Sequence, residues 1–257
     1  IIILDDFSSG KKENINKSKK VSFMNSSITN YVAVEAIILA LKPIGIFHFA
    51  ALPRIQPSFD DPISHHMVNT VGTLNILDVI IKNNINTKII FSSTSSVYGD
   101  NFPTTLDTQI DPINPYGLQK FASERYIVLL CERNNIRYNA LRYFNAYGKR
   151  SFNKDNKHNA YSSVIGIFLD QKKEGKKITV TGDGSQKRDF VHVKDIARAN
   201  WCAFKSQNNG VCNIGTGCSI SILDLAKIIS GDIEFISERK GEALETLCSS
   251  FDLFEIM

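Results

Sequence analysis

The sequence holds no apolar run approaching the ~18 residues that a membrane span requires, no CxxC pair and no HxxxH. The first absence predicts a chain that does not cross a membrane. The five cysteines, Cys131, Cys202, Cys212, Cys218 and Cys248, are dispersed and odd in number, which fits a reducing compartment, and so a cytoplasmic location, better than a disulfide framework. His65 and His66 are adjacent and face different ways on a helix, so the five histidines offer no ligand spacing and no metal is expected. An excess of one charge is also missing. With 30 Lys+Arg against 26 Asp+Glu, the net charge is +4, too weak and scattered for a nucleic-acid partner. The lysines between 11 and 20 and between 172 and 177 read as solvated faces. There is no internal repeat and no low-complexity tract.

What is present suits a globular protein. The 257 residues are 43% hydrophobic and 22% charged, enough for one large domain or two closely joined ones. Short β-rich apolar runs alternate with longer segments of helical period. Strands are expected at 1–5, 44–50, 88–93 and 138–144, and helices at 31–42, about 62–83 and 115–134. Strands apolar on both faces and separated by helices make a parallel sheet with right-handed crossovers. The predicted fold is α/β, a Rossmann-like doubly wound sheet whose ligands bind at the carboxyl ends of the strands. Beyond about 148 the rhythm loosens: a polar loop, a helix near 160–173, a strand at ITV, helices at 193–204 and 221–229, and a strand at VCNIG. This portion reads as a smaller mixed α/β lobe. The opening IIILDDF, without Met, reads as a strand caught in mid-fold. It predicts an N-terminally incomplete chain that begins after its first strand and glycine-rich loop.

Several strand ends carry chemistry. Asp5 closes the first strand, where a carboxylate accepts the ribose hydroxyls of a dinucleotide; a surface aspartate opening a turn is the plainer alternative. The small residues of HFAA, 48–51, allow close approach of a diphosphate or nicotinamide, or serve only strand packing. The run FSSTSSVYG at 91–99 crowds hydroxyls at a strand end. Tyr116 and Lys120 in NPYGLQK are four apart at a helix start and share one face. A phenol has a pKa of about 10 and is a poor base at neutral pH, but a neighbouring ammonium favours its phenolate. One strand–loop–helix step separates the hydroxyls from this pair, so both reach the same rim. There Thr94 would align a substrate hydroxyl that Tyr116 deprotonates, while Ser92, Ser93, Ser95 and Ser96 satisfy the chain as it leaves the sheet.

SSTSSVYG, PYGLQK, LRYFNAYG, GDGSQKRDFVHVKD and NIGTG, in that order, resemble the extended short-chain dehydrogenase/reductases, and within them the nucleotide-sugar 4-epimerase branch. The likeness runs from Asp5 to Glu242. It implies a tightly held NAD, a UDP-sugar substrate bound between two lobes, and a homodimer through the helices near 62–83 and 115–134. The NAD-binding lobe would be 1–148 with about 187–217, and the sugar-binding lobe 149–186 with 218–257, the latter C-terminally shortened. For the cofactor, the resemblance implies Asp5 on the adenosine ribose with Asp6 beside it, Ser27 and Ile28 near adenine, and Phe49, Ala50, Ala51, Asn69 and Ser92 along it. Tyr116 is the implied base, Lys120 binds the nicotinamide ribose and lowers the phenol's pKa, and Phe144 contacts the nicotinamide side. For the substrate it implies Thr94 on the reacting hydroxyl, Asn145 and Arg188 on the diphosphate, and Arg239 and Glu242 on phosphate and uridine ribose.

Dehydratases of this branch carry Asp-Glu directly after the threonine, and decarboxylases keep a Glu two places after it. Here those positions are Ser95 and Ser96, which cannot titrate usefully, so plain oxidation and reduction at carbon 4 is expected. Thr246, four residues after the acid of the ERKGE motif, is small where a bulky residue excludes 2-acetamido sugars. This points to UDP-N-acetylglucosamine/N-acetylgalactosamine, with UDP-glucose/galactose as the other pair. A reductase, dehydratase or decarboxylase of the same family, or a non-catalytic nucleotide-sugar-binding fragment, are the alternatives.

Overall fold

A computed structural model describes residues 1–102, 104–150 and 163–249. Strands β1 (Ile2–Asp5) and β2 (Ser22–Asn25) pair in parallel. Helix α1 (Tyr31–Leu41), capped by the Asn30 side chain, leads to β3 (Gly45–His48). Then come α2 (Ile55–Asp60), α3 (Pro62–His66) and, after one π-turn at Met67–Val71, α4 (Gly72–Lys82). Strand β4 (Lys88–Thr94), helix α5 (Pro115–Arg133), strand β5 (Arg137–Tyr143) and short β6 (Asn145–Tyr147) follow. The remainder is α6 (Val164–Lys173), β7 (Ile178–Thr181), β8 (Lys187–His192), α7 (Val193–Lys205), β9 (Gly210–Ile214), β10 (Ser219–Ser221), α8 (Ile222–Ile229), β11 (Ile233–Ile236) and β12 (Glu245–Thr246).

The central sheet is parallel with the order β3–β4–β5–β9. Its strands are apolar on both faces because each face has a helical layer to cover it. Ile89, Phe91 and Ala140 point into a core with Val34 and Ile38 of α1, Ile76 and Ile80 of α4, and Ile127 of α5. Ile90, Leu141 and Ile214 face the other way, onto Ile196, Ala199 and Ala203 of α7. Lys88, buried at the start of β4, fastens that second layer by donating to the carbonyls of Ala203 and Ser206 at the end of α7 (2.6 and 2.7 Å). A third core joins α6, β7 and α8 through Phe168, Ile178, Val180, Ile222 and Leu225, and β8 gathers β6, β10 and β12 around it. The β1–β2 pair has no hydrogen-bonded neighbour in the central sheet, yet Leu4 packs against the same core as Ile46.

The doubly wound α/β prediction holds. The single helix expected at 62–83 is instead two helices around a π-turn. There the carbonyl of Asn69 takes hydroxyls from Thr73 and Ser123 (2.7 Å each), and side chains inserted at one carbonyl are a sufficient cause for such a break. The strand expected at 44–50 stops at His48, so Phe49–Ala51 already lie beyond the sheet. The helix placed near 160–173 is observed from Val164, and 160–162 lie outside the described residues. Strands β2, β6, β8, β10, β11 and β12 and helix α2 had no counterpart in the periodicity.

Candidate active site

Because all four central strands run parallel, the 49–51 segment, Thr94 and Phe144 lie at carboxyl strand ends, the rim where open α/β sheets bind ligands, and Asp5 ends β1 in its own parallel pair. Thr94 closes β4 and caps the 3-10 turn Ser95–Tyr98: its Oγ1 accepts from the Ser96 N–H (3.2 Å). Helix α5 starts beside that turn. Asn114 caps it by accepting from Gly117 N–H (2.8 Å), with Pro115 at a position whose missing N–H costs nothing. A Cβ on Gly117 would stand 2.6 Å from the Ser96 carbonyl oxygen, so only glycine lets the first turn of α5 settle onto the turn after β4. That settling brings the Tyr116 phenol within reach of the Thr94 side chain, which pulls its pKa down. The Tyr116 N–H donates to Ser58 Oγ (3.1 Å), and that hydroxyl donates to the Ile55 carbonyl (2.6 Å), tying α2 to α5.

The electrostatics differ from the expectation in one respect. Burial pushes the Tyr116 phenol above its ordinary value, against the Thr94 hydrogen bond and the charge of Arg54, both of which pull it down. Lys120 is 2% exposed, and burial brings it down to about 7, opposed by the charge of Glu124. Its Nζ sits 4.1 Å from the centre of the Phe91 ring, a contact that supports the cation but accepts none of its N–H bonds conventionally. His48, buried between Phe91 and Thr73, falls to about 3 through burial and then the Lys120 charge, and its Nε2 lies 2.9 Å from Thr73 Oγ1.

Beneath this pair lies a network that sequence reasoning missed. Glu124, one turn after Lys120, accepts from Ser93 Oγ (2.6 Å) and from Arg142 Nε and Nη2 (3.0 and 2.6 Å). Arg142 Nη1 also donates to the Tyr98 hydroxyl (2.7 Å), which donates to Asn213 Oδ1 (2.8 Å). One chain of hydrogen bonds therefore clamps β4, β5, β9, α5 and the turn after Thr94. Its sequence signal was available in the Glu four places beyond Lys120.

The residues present suit a dinucleotide. Lys120 is a buried ammonium with no oxygen partner among the described residues, a donor set that a ribose diol would satisfy. Asp5 accepts from Phe7 N–H through Oδ1 (2.7 Å) and keeps Oδ2. Burial raises the Asp6 carboxyl, but hydrogen bonds with Ser8 and Ser27 bring it below its ordinary value, so Asp6 and Ser27 do come together. Ala50 and Ala51 are half-buried and Phe49 is exposed. Four expected contacts have protein neighbours of their own. The Ile28 side chain is in the core, against Gly72, where a Cβ would meet it at 2.6 Å. Asn69 is buried with its amide committed to Leu52 N–H, Leu52 C=O and Gln119 Oε1 (2.8, 3.1 and 3.0 Å), so it holds the 50–54 segment rather than a ligand. Ser92 stands near the Tyr143 hydroxyl, which donates to Asn200 Oδ1 (2.8 Å), and the Phe144 ring is 3% exposed, packed by Gly215.

On the substrate side, Glu242 meets both expected arginines, Arg188 Nη2 at 3.6 Å and Arg239 Nη1 at 3.7 Å. Burial lowers Arg188, while the charges of Glu242 and Asp100 raise it. Asn145 Nδ2 donates to the Asp189 carbonyl and to Thr246 Oγ1 (3.0 Å each), which ties the start of β6 to β8 and β12. Asp189, fully buried and absent from the sequence-based set, accepts from Thr216 Oγ1 and from the N–H groups of Thr216, Gly217 and Cys248 (2.6–3.1 Å). It locks β8 to the NIGTG turn and to the segment that carries Thr246.

A Thr–Tyr–Lys rim on a doubly wound sheet defines a dehydrogenase/reductase-type site, one that moves a proton beside a dinucleotide. The chain belongs to the NAD dependent epimerase/dehydratase family, whose model matches residues 1–215. It is 37% identical over 246 residues to a Methanocaldococcus jannaschii protein with a provisional UDP-glucose 4-epimerase name, covering 95% of this chain and 76% of that one. It is similar to the solved UDP-N-acetylglucosamine 4-epimerase from Methanobrevibacter ruminantium M1 in complex with UDP-N-acetylmuramic acid, with 33% identity, 99% of this chain, 83% of the other and a TM-score of 0.89. The Thermotoga maritima UDP-glucose 4-epimerase with UDP-glucose gives 32% identity, 99% and 83% coverage and a TM-score of 0.91.

Proposed function

We propose that this chain is an NAD-dependent UDP-sugar 4-epimerase. The observation that carries the reading is the first turn of α5, with Tyr116 and the buried Lys120, settled through Gly117 onto the turn after Thr94, a turn in which Ser95–Tyr98 hold no carboxylate. Asp5 and Lys120 would hold the two riboses of NAD, with Ala50 and Ala51 leaving room for its backbone. When bound, NAD supplies reversible hydride acceptance. Tyr116 takes the proton of the sugar 4-hydroxyl and later returns it, and Thr94 aligns that oxygen. Arg188, Arg239 and Glu242 keep the uridine diphosphate anchored while the 4-keto sugar turns its other face. In this reading residues 1–148 and about 187–217 hold the cofactor, and 149–186 with 218–257 hold the nucleotide sugar. The cytoplasm is its proposed location, in keeping with five dispersed cysteines that form no disulfide with one another.

Thr246 favours a 2-acetamido sugar, since its small side chain is drawn towards Asn145; the Methanobrevibacter relative, crystallised with UDP-N-acetylmuramic acid, supports this. Incubating the protein and NAD with UDP-N-acetylglucosamine or UDP-glucose should yield the carbon-4 epimer, faster with the first. Tyr116→Phe should abolish turnover, by at least ~100-fold for loss of a positioned base, and still bind NAD. Turnover surviving in that variant refutes the assignment of the base.

A homodimer completes the proposal. Ile63 on α3 and Leu118, Tyr126 and Leu129 on α5 are 75%, 58%, 42% and 54% exposed, an apolar stripe suited to a second copy.

A further inference from the structure

The ERKGE segment is tied down at two successive carbonyls. Lys240 C=O accepts from Gln56 Nε2 on α2 (2.8 Å), and Gly241 C=O accepts from Asn114 Nδ2 (3.0 Å). Gly241 has φ 77°, a conformation open to glycine without cost, and a Cβ there would stand 2.7 Å from the Phe59 ring of α2. The close approach is therefore built into the backbone. Arg239 and Glu242, which flank these carbonyls, pair with each other, and Glu242 also meets Arg188 of β8. One short stretch thus gives its main chain to α2 and α5 and its charges to β8. Asn114 serves both sides of this arrangement. Its Oδ1 accepts from Gly117 N–H while its Nδ2 holds Gly241. One buried amide spans the helix that carries Tyr116 and the segment that carries Arg239 and Glu242.

We propose that Asn114 is a positioning residue for the proton transfer: beyond capping α5, it sets where the nucleotide-gripping 239–242 segment stands relative to Tyr116. The inference rests on the epimerase reading for what that segment grips. An epimerising sugar is held through its diphosphate while its ring turns, so grip and base must keep one separation throughout. They lie on different elements, and a misplacement of about 1 Å can cost ~100-fold in rate. A cap alone does not call for an amide. Serine or aspartate accepts from the helix N–H equally well, whereas asparagine adds the donor that Gly241 takes. The other supports act in the same direction. Ser58 ties α2 to the Tyr116 N–H and Gln56 ties α2 to Lys240, so α2, α5 and the segment close a triangle. On its far side Leu244 N–H donates to Asp100 Oδ1 (2.9 Å), in the loop that follows the Thr94 turn.

The test separates the tie from the cap, with NAD present throughout. Asn114→Ser keeps an oxygen for Gly117 N–H but is too short to reach the Gly241 carbonyl. Asn114→Ala lacks both contacts, and Gln56→Met removes only the tie to Lys240. Asn114→Ser should melt close to the wild type and lower kcat about tenfold or more, with KM and the calorimetric dissociation constant of UDP held within about threefold. Hydrogen exchange should quicken across 240–246 and stay unchanged in the first turn of α5. Gln56→Met should shift kcat and exchange the same way, by less. If Asn114→Ser matches the wild type in kcat and exchange while Asn114→Ala does not, the residue is only a cap and the inference is overturned. A kcat that falls only in step with UDP affinity overturns it too. Should Asn114→Ser not fold, Gln56→Met decides, and unchanged kcat and exchange there overturn the inference. If the wild type epimerises no UDP-sugar, the functional reading fails, and exchange across 240–246 still decides whether Asn114 holds the segment.

Discussion

At the scale of the residue, the site depends on charges that are buried and must compensate one another. Glu124 and Arg142 are 1% and 7% exposed at the side chain and meet at 2.6 Å. Removing one member leaves the other uncompensated in a poorly polar interior, which costs about 3–5 kcal/mol. Glu124→Gln should therefore lower the denaturation midpoint sharply. The pair Glu124→Gln with Arg142→Met should recover part of that loss in the same chemical melt; a double variant no better than the single one contradicts the pairing. Glu124 was legible in principle, four residues beyond Lys120 on one helical face. Its partner Arg142 was not, because it approaches from β5 and only the packing of α5 on that strand brings them together.

At the scale of the element, the decisive contact is between the first turn of α5 and the turn that follows β4. Gly117 is the small residue on which it turns. A methyl group there would come 2.6 Å from the Ser96 carbonyl oxygen, closer than atoms tolerate, so the helix must withdraw. Gly117→Ala should cost roughly 1–3 kcal/mol of stability, as overpacking does, and should part Tyr116 from Thr94. In kinetics the loss should fall mainly on kcat, while NAD affinity, which the proposed function assigns largely to Asp5 and the 49–51 segment, changes little. An alanine variant with unchanged melting and kcat refutes this account. The π-turn at Met67–Val71 is the second such element. Periodicity reported one long helix, and nothing local to it announces that Asn69 would turn its carbonyl to Ser123 and its amide to Leu52.

At the scale of the whole molecule, three cores divide the work: one under each face of the central sheet and one among α6, β7 and α8. The central sheet brings the strand ends at His48, Thr94 and Tyr143 to a single rim, and β8 with its three neighbours gathers Asn145, Asp189 and Thr246. The apolar stripe on α3 and α5 belongs to this scale as well. Leu129→Glu should convert the proposed dimer to monomers in light scattering after gel filtration, since a charge in a desolvated apolar contact is strongly disfavoured. A wild type that is monomeric at micromolar concentration contradicts the dimer.

The sequence by itself determined the strand–helix alternation, the parallel sheet, and the rim on which Thr94, Tyr116 and Lys120 meet, because hydrophobic period and strand-end placement are local properties of the chain. The gathering of Arg188, Arg239 and Glu242 was also legible, through resemblance rather than periodicity. Only the tertiary structure decided how these groups are charged and held. Burial raises the Tyr116 phenol and lowers the Lys120 ammonium, and Asn69 and Asn145 spend their amides within the protein. The physical reason is that desolvation and hydrogen-bond commitment depend on neighbours distant in sequence, which no spacing along the chain records.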